Sequence, residues 1–165
     1  MNGDPKLYDI LHNLGIPFDY HEHPPAPTIE EAMKYWKDIE ATHCKNIFFR
    51  NHKGNRHYLV VLDHRHPLGI HDLEKRLRQG KLSFASEQRM MKYLGVTPGS
   101  VSPYCLINDH ENHVHVFFDK NLENSSLLSF HPCINTASII VKGSDFWRFM
   151  QWTCNSYEFL GLYDD

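Results

Sequence analysis

Three features of this sequence predict an α+β fold, a mixed and mainly antiparallel sheet flanked by helices, in one domain spanning residues 1–165. Helix-like and strand-like stretches are interleaved without the regular strand–helix alternation of a doubly wound parallel sheet. Strand-like runs come in close pairs separated by turn residues, as hairpins require. No G-x-G-x-x-G, P-loop, G-x-S-x-G or H-E-x-x-H occurs, so the nucleotide-binding and hydrolase folds that carry those fingerprints are not indicated.

The elements follow in order. Residues 4–15 predict a helix, with Asp4 as N-cap, Pro5 at the first turn, Leu7, Ile10, Leu11 and Leu14 on one face, and Gly15 as the stop. "PFDYHEH" alternates Phe18 and Tyr20 with polar neighbours and reads as a strand. Past a proline-rich loop, Thr28 and Glu31 form a capping box for a second helix with Ile29, Met33 and Trp36 facing inward. "CKNIFFR" and "HYLVVLD" flank the glycine-containing "NHKGN" and predict a central hairpin. "DLEKRLRQG" reads as a helix ending at Gly80, "LSFA" as a short strand, and "SEQRMMKYLG" as a helix from Ser86 to Gly95. "VTPGSVSP" is a turn-rich loop, and "YCLIND" with "HVHVFFD" predicts a second hairpin. "LSFHPCIN" reads as a loop, "TASIIVK" as a strand, and the last helix starts from Ser144 as N-cap.

The 165 residues carry a net charge of −3, which argues against a surface coated in cations for long nucleic-acid contacts. Residues 73–92, however, hold six Lys or Arg against two Glu, enough for a short stretch of phosphate backbone. No apolar run nears the roughly 20 residues of a membrane helix, and the first residues lack the basic-then-apolar layout of a secretion leader. A soluble, cytoplasmic protein is expected. Cys44, Cys105, Cys133 and Cys154 form no C-x-x-C pair, so neither disulfides nor a zinc ribbon is expected. Histidines cluster at "HEH", "DHRH" and "HVH", but spacing supplies no third ligand, so no metal and no cofactor are expected.

Three stretches, "CKNIFFRN", "GVTPGSVSP" followed by "LIND", and "FHPCINTAS", together resemble the YbaK/ProX family of aminoacyl-tRNA deacylases, which includes the editing domain inserted in bacterial prolyl-tRNA synthetases. The likeness spans nearly the whole chain and is closest to the free-standing, synthetase-associated type. It implies a hydrolase acting in trans that removes alanine from mischarged proline tRNA. It implies Lys45, Asn46 and His131 as catalytic residues. Gly99, Ser100, Val101, Ser102 and Pro103 then form the loop around the aminoacyl end. Lys81, with Arg78 and Arg50, would meet the tRNA. Lys81 stands where relatives carry Arg or Lys, and an ammonium gives a less forked contact than a guanidinium.

The chemistry suits such a set. An aminoacyl ester is already reactive, so orientation, one water and stabilisation of the carbonyl oxygen suffice without a Ser or Cys nucleophile. A thiol nucleophile at Cys44 or Cys133 stays open on sequence alone. Tyr20, Ile29, Met33 and His131 are the candidate walls of a pocket small enough to admit alanine and exclude proline, with ordinary core packing the competing reading for the first three. The partner expected is the acceptor end of proline tRNA, with prolyl-tRNA synthetase a further candidate and no membrane. Two rivals are deacylation of cysteinyl or seryl groups and a non-catalytic module that only binds the acceptor end.

Overall fold

One long strand organises the sheet. In the computed structural model, which describes residues 1–25, 33–35, 40–65 and 69–162, β2 (Thr42–Asn51) pairs with three other strands along its length. The others are β1 (Asp19–Glu22), β3 (His57–Asp63), β4 (Leu82–Phe84), β5 (His115–Asp119), β6 (Leu127–Phe130), β7 (Ala137–Lys142) and β8 (Tyr157–Leu160). Their order is β1-β7-β6-β2-β3-β5-β8, with β4 attached to β2. The β1–β7, β2–β3, β2–β4 and β6–β7 pairs are antiparallel, and the β2–β6, β3–β5 and β5–β8 pairs are parallel.

Helices α1 (Pro5–Asn13), α2 (Ile70–Leu77), α3 (Glu87–Leu94) and α4 (Gly143–Thr153) cover the two faces. Alternation along β2 sends Phe48 into one apolar cluster, with Leu7, Leu59, Tyr104, Phe130 and Phe146. Phe49 enters the other, with Val60, Leu62, Phe117 and the α2 residues Leu73 and Leu77. The expected caps form: Asp4 accepts from the Lys6 N–H at 3.0 Å and Ser86 from the Arg89 N–H at 3.2 Å. Gly95 ends α3 at φ 68°, where its missing Cβ removes the left-handed penalty.

Four expectations change. "YCLIND" is a 3₁₀ helix (Pro103–Asn108), because Pro103 lacks an N–H for a ladder and the Ser102 hydroxyl accepts from the Tyr104 N–H at 3.2 Å. The second hairpin is therefore absent, and β5 instead runs parallel to β3 and β8. The stretch read as a loop contains β6, held between β7 and β2. Helix α4 starts at Gly143 with Lys142 as N-cap, not at Ser144. Met33 is half exposed rather than inward-facing, while Thr28, Ile29, Glu31 and Trp36 lie outside the described residues.

The far end of β2 is a rigid hairpin. The Asn51 side-chain oxygen accepts from the N–H groups of Asn55 and Arg56, both at 3.1 Å, and its amide donates to Asn55 Oδ1 at 2.8 Å. Behind the turn His57 is buried; its Nε2 accepts from Arg89 Nη1 at 3.0 Å and its Nδ1 donates to His113 at 2.8 Å. Burial, then His113 and the cations Arg89, Lys92 and Arg50, push its pKa down to about 4. The fold thus favours neutral imidazole, so this contribution is complete above about pH 6.5 and is lost as the pH falls toward 4. Thermal unfolding should show a lower midpoint at pH 5 than at pH 7.5. A flat profile across that window contradicts the assignment.

No helix among the described residues is long and apolar enough to cross a membrane.

Candidate functional site

The sheet splits beside Lys45. The parallel pairing of β2 with β6 matches Thr42 to Leu128 and His43 to Ser129 and then stops. β4 joins the same edge only at Phe49–Asn51, with the Ala85 N–H reaching the Phe48 carbonyl at 2.9 Å. Among the described residues no strand covers this edge between those two contacts. Peptide groups alternate in direction along a strand. His43 and Asn51 bond toward β3, and Phe48 bonds toward β4. The N–H and C=O of Asn46 therefore open onto the split.

Lys45 pairs with Leu62 of β3, which enters the second apolar cluster, so its side chain leaves β2 on that face, while His131 follows Phe130 just past the point where β6 parts from β2. Lys45 is partly exposed and has no hydrogen-bond or ion-pair partner among the described residues. Cys44 and Asn46 leave on the opposite face. The splayed strands bound a small cavity lined by Cys44, Asn46, Ser129, Phe130, His131 and Ser138. Its free space is about 10 Å³, room for one water or a methyl group. The Asn46 side-chain oxygen is buried there without a partner among the described residues, an acceptor available to whatever enters.

His131 Nδ1 donates to the Ala137 carbonyl at 2.9 Å, the tautomer that leaves Nε2 as an acceptor. Burial holds its pKa below the ordinary imidazole value, so the ring is neutral. His23 lies 5.8 Å away ring to ring, and its Nε2 accepts from the Ser138 hydroxyl at 3.0 Å. Tyr35 stacks on His23 at 5.8 Å, which brings the helical residues 33–35 beside these imidazoles.

The loop 99–103 is tied to this region through its backbone. The Ser102 hydroxyl donates to the His131 carbonyl at 2.7 Å. Gly99 adopts φ 90°, a conformation that a side chain would strain, and a Cβ there would sit 3.6 Å from Asn135 Nδ2. Gly99 is exposed, whereas Ser100, Val101, Ser102 and Pro103 are buried, so the loop presents its glycine backbone rather than its side chains.

Neither Cys44 nor Cys133 is poised as a thiolate nucleophile. Burial, reinforced by the negative charges of Asp63 and Asp119, pushes the Cys44 thiol well up. A hydrogen bond shared with Cys105, followed by burial, does the same to Cys133. Among the described residues no three His, Cys, Asp or Glu side chains converge as metal ligands.

The fold brings Asn46 and His131 to one cavity and ties the 99–103 loop to His131 through Ser102, while Lys45 neighbours Asn46 in β2 with its side chain on the opposite face. Tyr20 is corrected: it pairs with Ile139, on the face of β1 that packs into the core, and its hydroxyl accepts from the Asn2 N–H and donates to Glu22, both at 2.8 Å. Ile29 lies outside the described residues, and Met33 is no buried wall. Ser129, Ser138 and His23 are the additions. Buried serines inside the apolar runs "LLSF" and "ASIIVK" were the available signal, since a buried hydroxyl needs a partner. Lys81 and Arg50 lie toward the other end of β2, where Leu82 pairs with Asn51 and Ser83 with Arg50, while Arg78 ends α2 at φ 57° on the Phe49 face of the sheet.

Comparison with known proteins agrees with this architecture. The chain is 39% identical over 154 residues to the prolyl-tRNA editing protein ProX of Acetoanaerobium sticklandii, covering 92% of this chain and 93% of that one. It is 32% identical over 151 residues to prolyl-tRNA synthetase associated domain-containing protein 1 of Mus musculus, covering 90% and 89%. A crystal structure described as a candidate trans-editing enzyme for prolyl tRNA synthetase superposes with a TM-score of 0.67 over 96% of this chain and 98% of that one; at 16% identity the likeness is one of fold. Residues 23–149 match the model of the aminoacyl-tRNA editing domain, and with the two relatives this establishes that the chain belongs to that family.

Proposed function

We propose that this protein hydrolyses the ester joining alanine to the 3′ end of mischarged proline tRNA, acting in trans and in the cytoplasm after the synthetase has released the product. The observation that carries the reading is the methyl-sized cavity at a sheet edge next to Lys45, in which the buried Asn46 side-chain oxygen, like the Lys45 ammonium, has no partner among the described residues. Lys45 grips a phosphate of the terminal nucleotide on one lip of the split. The alanyl methyl occupies the cavity, and Asn46 Oδ1 accepts from the α-ammonium at its mouth. The exposed Asn46 peptide edge and the backbone at Gly99 supply donors for the carbonyl oxygen as negative charge develops there. His131 Nε2, neutral and acceptor-only, orients the attacking water, with the neighbouring ribose hydroxyl helping to place it. Water adds to the carbonyl carbon, the bond to the ribose oxygen breaks, and alanine leaves with the ribose hydroxyl restored. Lys81, Arg78 and Arg50 hold the nucleic acid further along.

Size sets the selectivity. A synthetase site shaped for proline rejects alanine weakly, because missing methylenes change binding by only about 1–3 kcal/mol, whereas a second, smaller pocket excludes the proline ring. Purified protein incubated with alanyl-, seryl-, cysteinyl- and prolyl-tRNA should release alanine at least about tenfold faster than proline. Equal rates on alanine and proline defeat the sieve. Faster release of serine or cysteine reassigns the pocket to those groups, and binding without any release makes the protein an acceptor-end binding module. Association with prolyl-tRNA synthetase is the partner proposed from the same reading.

A further inference from the structure

A second cationic surface lies on the β2–β3 hairpin and α3. Arg50 and Arg89 converge over Gly54: their guanidinium nitrogens stand 2.9–3.4 Å from where a side chain on that residue would begin. Arg89 Nη1 donates to the Gly54 carbonyl at 2.9 Å, and Arg50 Nη1 to the His52 carbonyl at 3.5 Å. Lys53, Arg56 and Lys92 are exposed around them. Among the described residues none of these five cations is ion-paired with a carboxylate. That is unusual economy in a chain whose net charge is −3. Unpaired like charges repel, so their gathering on a preorganised turn suits an anionic partner rather than stability.

The position identifies the partner. From Asn46 to Arg50 is about 13 Å at roughly 3.3 Å per strand residue, and Lys53 lies in the turn just beyond Asn51, where β2 ends. The unpaired 3′ end of a tRNA, about four nucleotides, spans about 14 Å at 3.4 Å per stacked nucleotide. With the ester at the split, the first paired phosphates therefore arrive level with the hairpin. We infer that Lys53, Arg56, Arg89 and Lys92 bind the phosphates of the duplex acceptor stem, a contact that meets the Lys81 side at Arg50 and one that rests on the editing reading. It reads the duplex as a charged shape and supplies affinity and register rather than base identity.

The test uses the Lys53→Glu, Arg56→Glu, Lys92→Glu triple variant, three exposed side chains outside the proposed catalytic set. Two substrates are compared: alanyl-tRNA, and alanine esterified to a short unpaired 3′ oligonucleotide that lacks the duplex. The variant should lose at least about tenfold in kcat/KM on alanyl-tRNA, keep its rate on the short fragment, and show a salt dependence shallower by two to three in log–log slope, at about 0.9 per lost phosphate contact. Equal losses on both substrates, or no loss on either, overturn the inference. A separate arm measures binding of an uncharged acceptor-stem hairpin RNA by fluorescence anisotropy and needs no hydrolysis, so it stays readable if the editing reading fails. Wild-type protein should prefer the hairpin to an unpaired strand of equal length, and the variant should lose that preference. Equal binding of both RNAs by wild type, or a variant that binds the hairpin as wild type does, also overturns it.

Discussion

Replacing Lys45 with alanine should lower kcat/KM on alanyl-tRNA by roughly 10- to 150-fold, the equivalent of the ~1.5–3 kcal/mol that a charge-assisted hydrogen bond contributes. The expectation follows from the placement of the residue. Its ammonium has no partner among the described residues, so no hydrogen bond or ion pair is lost on truncation, and the stability should stay within about 0.5 kcal/mol of wild type. Single-turnover deacylation separates the two ways the group can act. If Lys45 only holds the terminal phosphate, KM rises and kcat stands; if it also steadies the transition state, kcat falls with it. Activity within twofold of wild type would remove Lys45 from the site and leave the cavity without its nucleic-acid anchor. Lys45→Arg keeps the charge but spreads it over a larger plane, and should restore only part of the rate.

Gly143→Ala should destabilise the protein by about 3 kcal/mol, seen as a fall of roughly 6–12 °C in thermal midpoint. Gly143 opens α4 directly after β7, and its N–H donates to the Ser126 carbonyl at 2.9 Å, the contact that locks this corner to the start of β6. A Cβ there would stand 2.1 Å from the Ser125 carbonyl oxygen, a backbone atom that cannot swing aside like a side chain. Either α4 lifts from the first core cluster, taking Phe146 and Phe149 with it, or β6 shifts against β7. The second response would move Ser129 and His131, so the variant should lose deacylation at temperatures where it is still folded. An unchanged midpoint would mean that the corner is loose, and that β6 is not held as described.

Local signals carried much of the fold. Asp4 with Pro5, Ser86 and Gly95 predict helix ends because caps are satisfied within a few residues, and the structure uses each of them. The central hairpin was equally legible, since apolar runs flanking Gly54 leave few other pairings. "YCLIND" shows the limit: its apolar content fits a strand, but Pro103 and the Ser102 cap commit it to a 3₁₀ turn. The parallel neighbours of β2, β3 and β5 had no local signal, because a parallel partner is chosen by the packing of distant segments.

The residues of the site divide in the same way. Motif resemblance singled out Lys45, Asn46, His131 and the 99–103 loop, each a short stretch whose chemistry can be stated without coordinates. Ser129, Ser138 and His23 came to light only when β6, β7 and the chain after β1 were brought together. The sequence by itself determined which groups are available: an ammonium, an amide, an imidazole, a glycine turn and a set of cations near the hairpin. Only the tertiary structure decided that β6 leaves β2 after His43 and β4 joins it at Phe49, opening the edge on which the amide and the imidazole meet. The reason is physical. Side-chain chemistry is a property of each residue, whereas an unpaired stretch of strand exists only through where its neighbours stop.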